Sequence, residues 1–236
     1  MEDRTRAWRR IVTALVVFGI SFGYVEAAVV DYLRTIYDPL RRQLHPERPP
    51  EDLFPLISIS QLQSAGPEHN RRLRTELGRE AATLIMLASV ALAGTRNRRQ
   101  WLAAFLIAFG VWDISFYGGL KLLLNWPASL FTWDILFLIP VPWVGPVLSP
   151  ILVSLSMIAA GLFVLRRDLE GNLPPFRWFQ WALIFSGGLI VVLAFTWDFR
   201  NTSAGGMPNP FNWPLFILGE LTGLSSLMIN RPVKRI

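Results

Sequence analysis

Apolar residues in this chain fall in six long runs, at 11–30, 81–94, 101–124, 130–165, 178–197 and 214–228, and none of the runs carries the polar face of a helix in a soluble domain. Most reach the about 20 residues that a tilted helix needs to cross a bilayer. The second run is short. Pro67 after Gly66 reads as a first-turn proline, so its helix begins outside the membrane and runs inward through Arg79 and Glu80. The fourth run is too long for one straight span and is interrupted by Pro140, Pro142, Pro146 and Pro150. Each proline removes a backbone donor and disfavours helix in the residue before it. This pattern predicts a half-helix over 130–139, an irregular bend, and a full helix from about Pro150 to Leu165. The expected fold is an all-α integral membrane protein, a single transmembrane domain over residues 1–236 built as a six-span helical bundle with a broken, partly re-entrant fourth segment.

Composition agrees with a membrane chain. Only 17% of the 236 residues are charged, 52% are hydrophobic and ten are Trp, whereas a soluble domain carries about 25% charged residues. The net charge of +6 comes largely from arginines that flank the apolar runs, which is an orientation signal and not a nucleic-acid footprint. Arg4, Arg6, Arg9 and Arg10 precede the first run, Arg96, Arg98 and Arg99 follow the second, Arg166 and Arg167 follow the fourth, and Arg231, Lys234 and Arg235 close the chain. The alternation places both termini in the cytoplasm, in a plasma or inner membrane, and residues 31–79 outside. The outer segment contains several arginines of its own, offset by Asp38, Glu47, Glu51, Asp52, Glu68 and Glu76. The first run exceeds the about 7–15 residues of a signal-peptide core and reads as a retained anchor.

Four carboxylates, Glu26, Glu80, Asp113 and Asp134, interrupt the runs. A carboxylate in hydrocarbon must be paired, protonated or hydrated, which makes an intramembrane cluster a candidate site. At about 1.5 Å per residue, Glu26 lies roughly 22 Å from the inner end of its helix, Glu80 roughly 21 Å and Asp113 roughly 18 Å, and Asp134 falls near roughly 23 Å. The four are therefore expected to share one cavity, with Glu220 as a floor and the proline-rich bend at the mouth. Arg79, Lys121 and Arg34 are the available cations, and Asp113, Tyr117 and Lys121 recur at every fourth position of one helix. Trp112 and Trp133 each precede an aspartate and can donate an indole N–H or present a ring to a cation. Acids outnumber bases in this layer, so a proton, a bound cation or water must meet the surplus. The alternative is that these groups only tie helices together.

Other chemistries have little to stand on. There is no Cys, and the only histidines are His45 and His69, so haem and Fe–S clusters are not expected. A metal at this site would be a hard, oxygen-bound divalent cation such as Mg, Mn or Ca. Gly187, Gly188, Gly219 and Gly223 suit close helix packing better than phosphate binding. Three functions compete: a transporter-like protein whose outward-facing acidic site binds a proton, metal ion or organic cation, with the broken segment as gate; an accessory subunit or assembly factor with a protein partner; and a membrane enzyme acting on a lipid or isoprenoid, with Glu26 and Asp113 as catalytic acid and base. The partners implied are the lipid bilayer and a small cation or hydrophobic ligand, with no nucleic acid.

Overall fold

A computed structural model of the chain describes residues 2–49 and 52–228. Glu51 and the closing basic residues Arg231, Lys234 and Arg235 lie outside the described residues. The order of elements is α1 (Glu2–Leu44), α2 (Ile59–Ala65), α3 (Pro67–Ala93), α4 (Arg98–Leu124), β1 (Trp133–Phe137), β2 (Trp143–Pro146), α5 (Leu148–Leu169), α6 (Trp178–Thr196), α7 (Phe199–Ser203) and α8 (Trp213–Met228). Four helices, α1, α4, α5 and α6, are long and apolar enough to cross a membrane, as in a multi-span membrane protein. Helices α3 and α8 stand where the second and sixth spans were expected. The first half of α3 is polar and α8 is described over only 16 residues, so the structure does not show six spans. Large apolar side chains face outward, among them Val17, Ile85, Leu155, Phe185 and Leu221, as lipid-facing surfaces require.

Local signals set the helix ends. Asn97 caps α4 by accepting from Arg99 N at 3.0 Å and Gln100 N at 2.9 Å. Pro67 does occupy the first turn of α3, after Gly66 at φ 132°, a conformation that L side chains rarely adopt. Helix α1 does not stop where its apolar run stops. It continues to Leu44, and its 43 residues extend about 65 Å, twice the bilayer core, so its last turns form part of the roof over the site.

Small residues let the long helices approach closely. A Cβ at Gly23 would lie 2.7 Å from Trp112 O, and one at Gly119 would lie 2.7 Å from Ala27 Cβ, so α1 and α4 run parallel with backbones nearly touching. Gly110 meets Ser154 while Gly161 meets Ala103, which sets α5 antiparallel to α4. Helices α6 and α8 cross at Gly187, Gly219 and Gly223, as expected, whereas nothing lies within 4 Å of a Cβ at Gly188. Around α4 the core is Leu15, Leu87, Ala104, Ile107, Trp112 and Leu165. One end of the bundle gathers the arginine-bearing termini: Arg4 donates to Glu170 O at 2.9 Å, Asn97 and Gln100 each to Asp168 at 2.9 Å, and Arg99 to Leu173 O at 3.4 Å.

The fourth run departs from expectation. Residues 130–139 are not a half-helix: β1 pairs antiparallel with β2, with Asp134 opposite Gly145 and Phe137 opposite Trp143. The pairing continues as Val147 N donates to Thr132 O at 3.0 Å and Leu148 N to Leu130 O at 2.7 Å. The prolines account for this. They deny a helix to the arm that carries them, Pro140 to Pro146, and that arm then supplies backbone partners to the proline-free stretch before it, as the protein interior requires. Trp, Ile and Phe suit the strand. The bend through Pro140 and Pro142 is non-helical, as expected, but α5 starts at Leu148, with Pro150 inside its first turn.

Candidate functional site

Helices α1, α3 and α4 and strand β1 enclose a cavity of about 320 Å³, roofed by the end of α1 and by Leu53, Leu56, Ile57 and Leu62. Glu26, Glu80, Asp113 and Asp134 all line it, as do Arg79, Tyr117 and Trp112. The first arm of the hairpin forms a wall of this cavity: Leu138 lies against Glu80, and the Phe137 ring meets Phe109 and Trp112 at 6.4 Å.

Each carboxylate has a distinct setting. Glu26 accepts from Thr83 Oγ1 at 2.8 Å through one oxygen and from Arg79 Nη1 through the other. Arg79 also reaches Glu76, its Nε donating to both oxygens at 3.0 Å, so one guanidinium serves two acids. Glu80 takes the Leu138 amide at 3.1 and 2.9 Å, satisfying a donor that the hairpin turn leaves unpaired. Asp134 accepts from the Tyr117 hydroxyl at 2.8 Å, and Asp113 from Ser154 Oγ at 2.8 Å. These two aspartates feel each other's charge, and neither has an arginine in hydrogen-bond contact. Arg34 acts on Asp134 through its charge, and its guanidinium sits 4.7 Å above the Trp126 ring. Among the lining residues six acids (Glu26, Asp38, Glu76, Glu80, Asp113, Asp134) face three arginines (Arg34, Arg41, Arg79), so the expected surplus of carboxylates is present.

Three expected members lie elsewhere. Lys121 is exposed and donates to Asn125 O at 3.3 Å and Pro127 O at 3.2 Å, closing the end of α4. Four residues advance a helix by about 400°, so two such steps carry Lys121 roughly 80° off the face of Asp113. Trp133 is turned away because neighbouring strand residues point to opposite faces, and its ring meets Phe54 and Phe211 edge-on at 6.4 Å. Glu220 is not the floor of this cavity. It lines a second cavity, of about 380 Å³ and almost wholly apolar, between the α4–α5 and α6–α8 pairs, and is hydrogen-bonded with Ser156. Asp113, Leu136 and Phe137 border both cavities.

Sequence reasoning missed Glu76, Thr83, Ser154 and Trp126. Two of these carried a signal. Glu76, Arg79, Glu80 and Thr83 form an i, i+3, i+4, i+7 stripe on one face of α3. Ser154 stands twelve residues from Arg166, roughly 18 Å, the same depth as Asp113. Trp126 follows the end of α4 and joins the site only through tertiary packing with Tyr117 and Leu120.

Among the described residues no group of three or more His, Asp or Glu is placed to hold a metal ion. No known protein family, curated protein or solved structure matches the chain.

Proposed function

We propose that this chain is a multi-span membrane protein that binds a small organic cation in the carboxylate cavity and works in the manner of a transporter. The observation that carries the reading is that Asp113 and Asp134 line one cavity together with the rings of Trp112, Phe116, Tyr117 and Trp126. Aromatic faces and carboxylates together are the chemistry that recognises an ammonium group: the rings attract it electrostatically and the acids balance its charge. Glu26 and Glu76 share Arg79 while Glu80, Asp113 and Asp134 each have separate amide or hydroxyl partners, and among the described residues the acids do not converge on a metal-sized point, which favours an organic cation over a divalent ion.

Three further observations support movement through the protein. Asp113 borders a cavity on each side of the hairpin, with Leu136 and Phe137 as the partition, so displacement of the hairpin tip would pass a ligand from one cavity to the other. Non-helical backbone inside a helical bundle is tolerated where it lines such a space. The arginine-bearing ends lie together, which agrees with a cytoplasmic side there and a carboxylate cavity that faces outward. The lipid-enzyme reading gains from the apolar second cavity but loses its acid/base pair, because both oxygens of Glu26 are already engaged. The test is uptake of labelled choline by proteoliposomes containing the full chain. Saturable uptake that Asp113→Asn abolishes supports the proposal, and uptake no greater than in empty liposomes overturns it.

A further inference from the structure

The acids of the outer cavity explain only half of its polar lining. Glu26 and Glu80 have their partners, which leaves Asp113, with the Ser154 hydroxyl, and Asp134, with the Tyr117 hydroxyl and the Ile135 amide, to receive a cation. On the neighbouring wall are donors with no acceptor. Trp126, 2% exposed, and Trp112, 6% exposed, both line the cavity with indole N–H groups that lack a hydrogen-bond partner, and the Arg34 Nε is buried without one. Buried donors are almost always paired, so an unpaired group on a cavity wall marks where a ligand atom belongs. A simple cation would answer the aspartates and leave these donors bare.

We infer that the ligand of this cavity is a zwitterion, its ammonium group set between Asp113 and Asp134 and its carboxylate received by Arg34 and the Trp126 N–H. The inference rests on the proposed cation site and adds the second group that the site recognises. Donors and acceptors line the same cavity, where Arg34 stacks on Trp126 at 4.7 Å and acts electrostatically on Asp134. On binding, the ligand's ammonium balances the charge of Asp134, and the Arg34 guanidinium, which has no bond to that aspartate to break, receives the ligand's carboxylate. The cavity gains no net charge, so the desolvation cost of burying a lone ion is avoided. A carboxylate held by a guanidinium and an N–H makes charge-assisted hydrogen bonds, the stronger kind.

Tetramethylammonium and glycine betaine differ only by a carboxylate on one methyl group, so they separate the two halves of the site. Calorimetric titration of the purified full chain in detergent should show betaine binding about tenfold or more tighter than tetramethylammonium. The gap should shrink in Trp126→Phe, which keeps a ring and removes the N–H, and again in Arg34→Gln. If tetramethylammonium binds at least as tightly as betaine, or if the gap survives both substitutions, the zwitterion inference falls while the cation site stands. If neither compound binds, both fall.

Discussion

The Tyr117 hydroxyl donates to Asp134 Oδ2 at 2.8 Å, joining α4 to the inserted hairpin where both side chains are buried. This bond holds one wall of the cavity to another and fixes where the aspartate points. Tyr117→Phe keeps the ring and deletes the donor, which should destabilise the fold by about 1–3 kcal/mol through the under-satisfied aspartate. Denaturant unfolding measures it. Unchanged stability would show that the hairpin is anchored by other contacts.

Arg79 is the shared partner of Glu26 and Glu76, so removing it strands two acids. Arg79→Gln should cost about 3–5 kcal/mol, the range for breaking a buried pair from one side. Adding Glu26→Gln and Glu76→Gln should restore much of the loss. A triple variant no more stable than Arg79→Gln would mean that packing by the arginine stem, not its charge, is what matters.

The parallel crossing of α1 and α4 has no room at Gly23, where a Cβ would sit 2.7 Å from Trp112 O, yet nothing lies within 4 Å of one at Gly118. Gly23→Ala should therefore lower stability by about 1–3 kcal/mol. Gly118→Ala should be neutral or slightly stabilising, since alanine is the better helix former. Equal thermal shifts for the two variants would contradict the crossing.

Much of the bundle was legible because its cause is local. Apolar runs, Pro67 and the arginine clusters each act within a turn or two of where they stand, and depth along a helix is a simple count, which is why Glu26, Glu80 and Asp113 could be placed in one cavity; Asp134 lines it too, although from a strand and not from the half-helix used to count its depth. The hairpin was not legible. A run such as Trp133–Phe137 suits helix or strand, and β2, ten residues on, settles the choice by supplying backbone partners. Trp133 was misplaced for the same reason, since its direction depended on strand alternation, whereas Lys121 was misplaced by neglect of helical drift over eight residues.

Asp198, on the turn after α6, is raised by partial burial but held lower overall, below the ordinary carboxylate range, by hydrogen bonds from Asn201 at 3.0 Å and from Asn209 at 2.8 and 2.7 Å. A depressed value means that the charged form stabilises the loop before α8. That contribution is present above the ordinary value and is lost as pH falls through the folded one. The stability difference between the native chain and Asp198→Asn should be seen near about pH 6 and should vanish in acid well below about 3.9. A difference that persists at low pH would assign it to geometry and not to charge.

Asp113 and Asp134 are proposed to bind an organic cation together. Equilibrium binding of radiolabelled tetramethylammonium to the purified chain tests it most directly, with the native protein compared with Asp113→Asn, Asp134→Asn and the double variant. The account predicts saturable binding in the native chain, weaker by about tenfold or more in each single variant and absent in the double. Saturable binding that survives the double substitution, or none in the native chain, would contradict it.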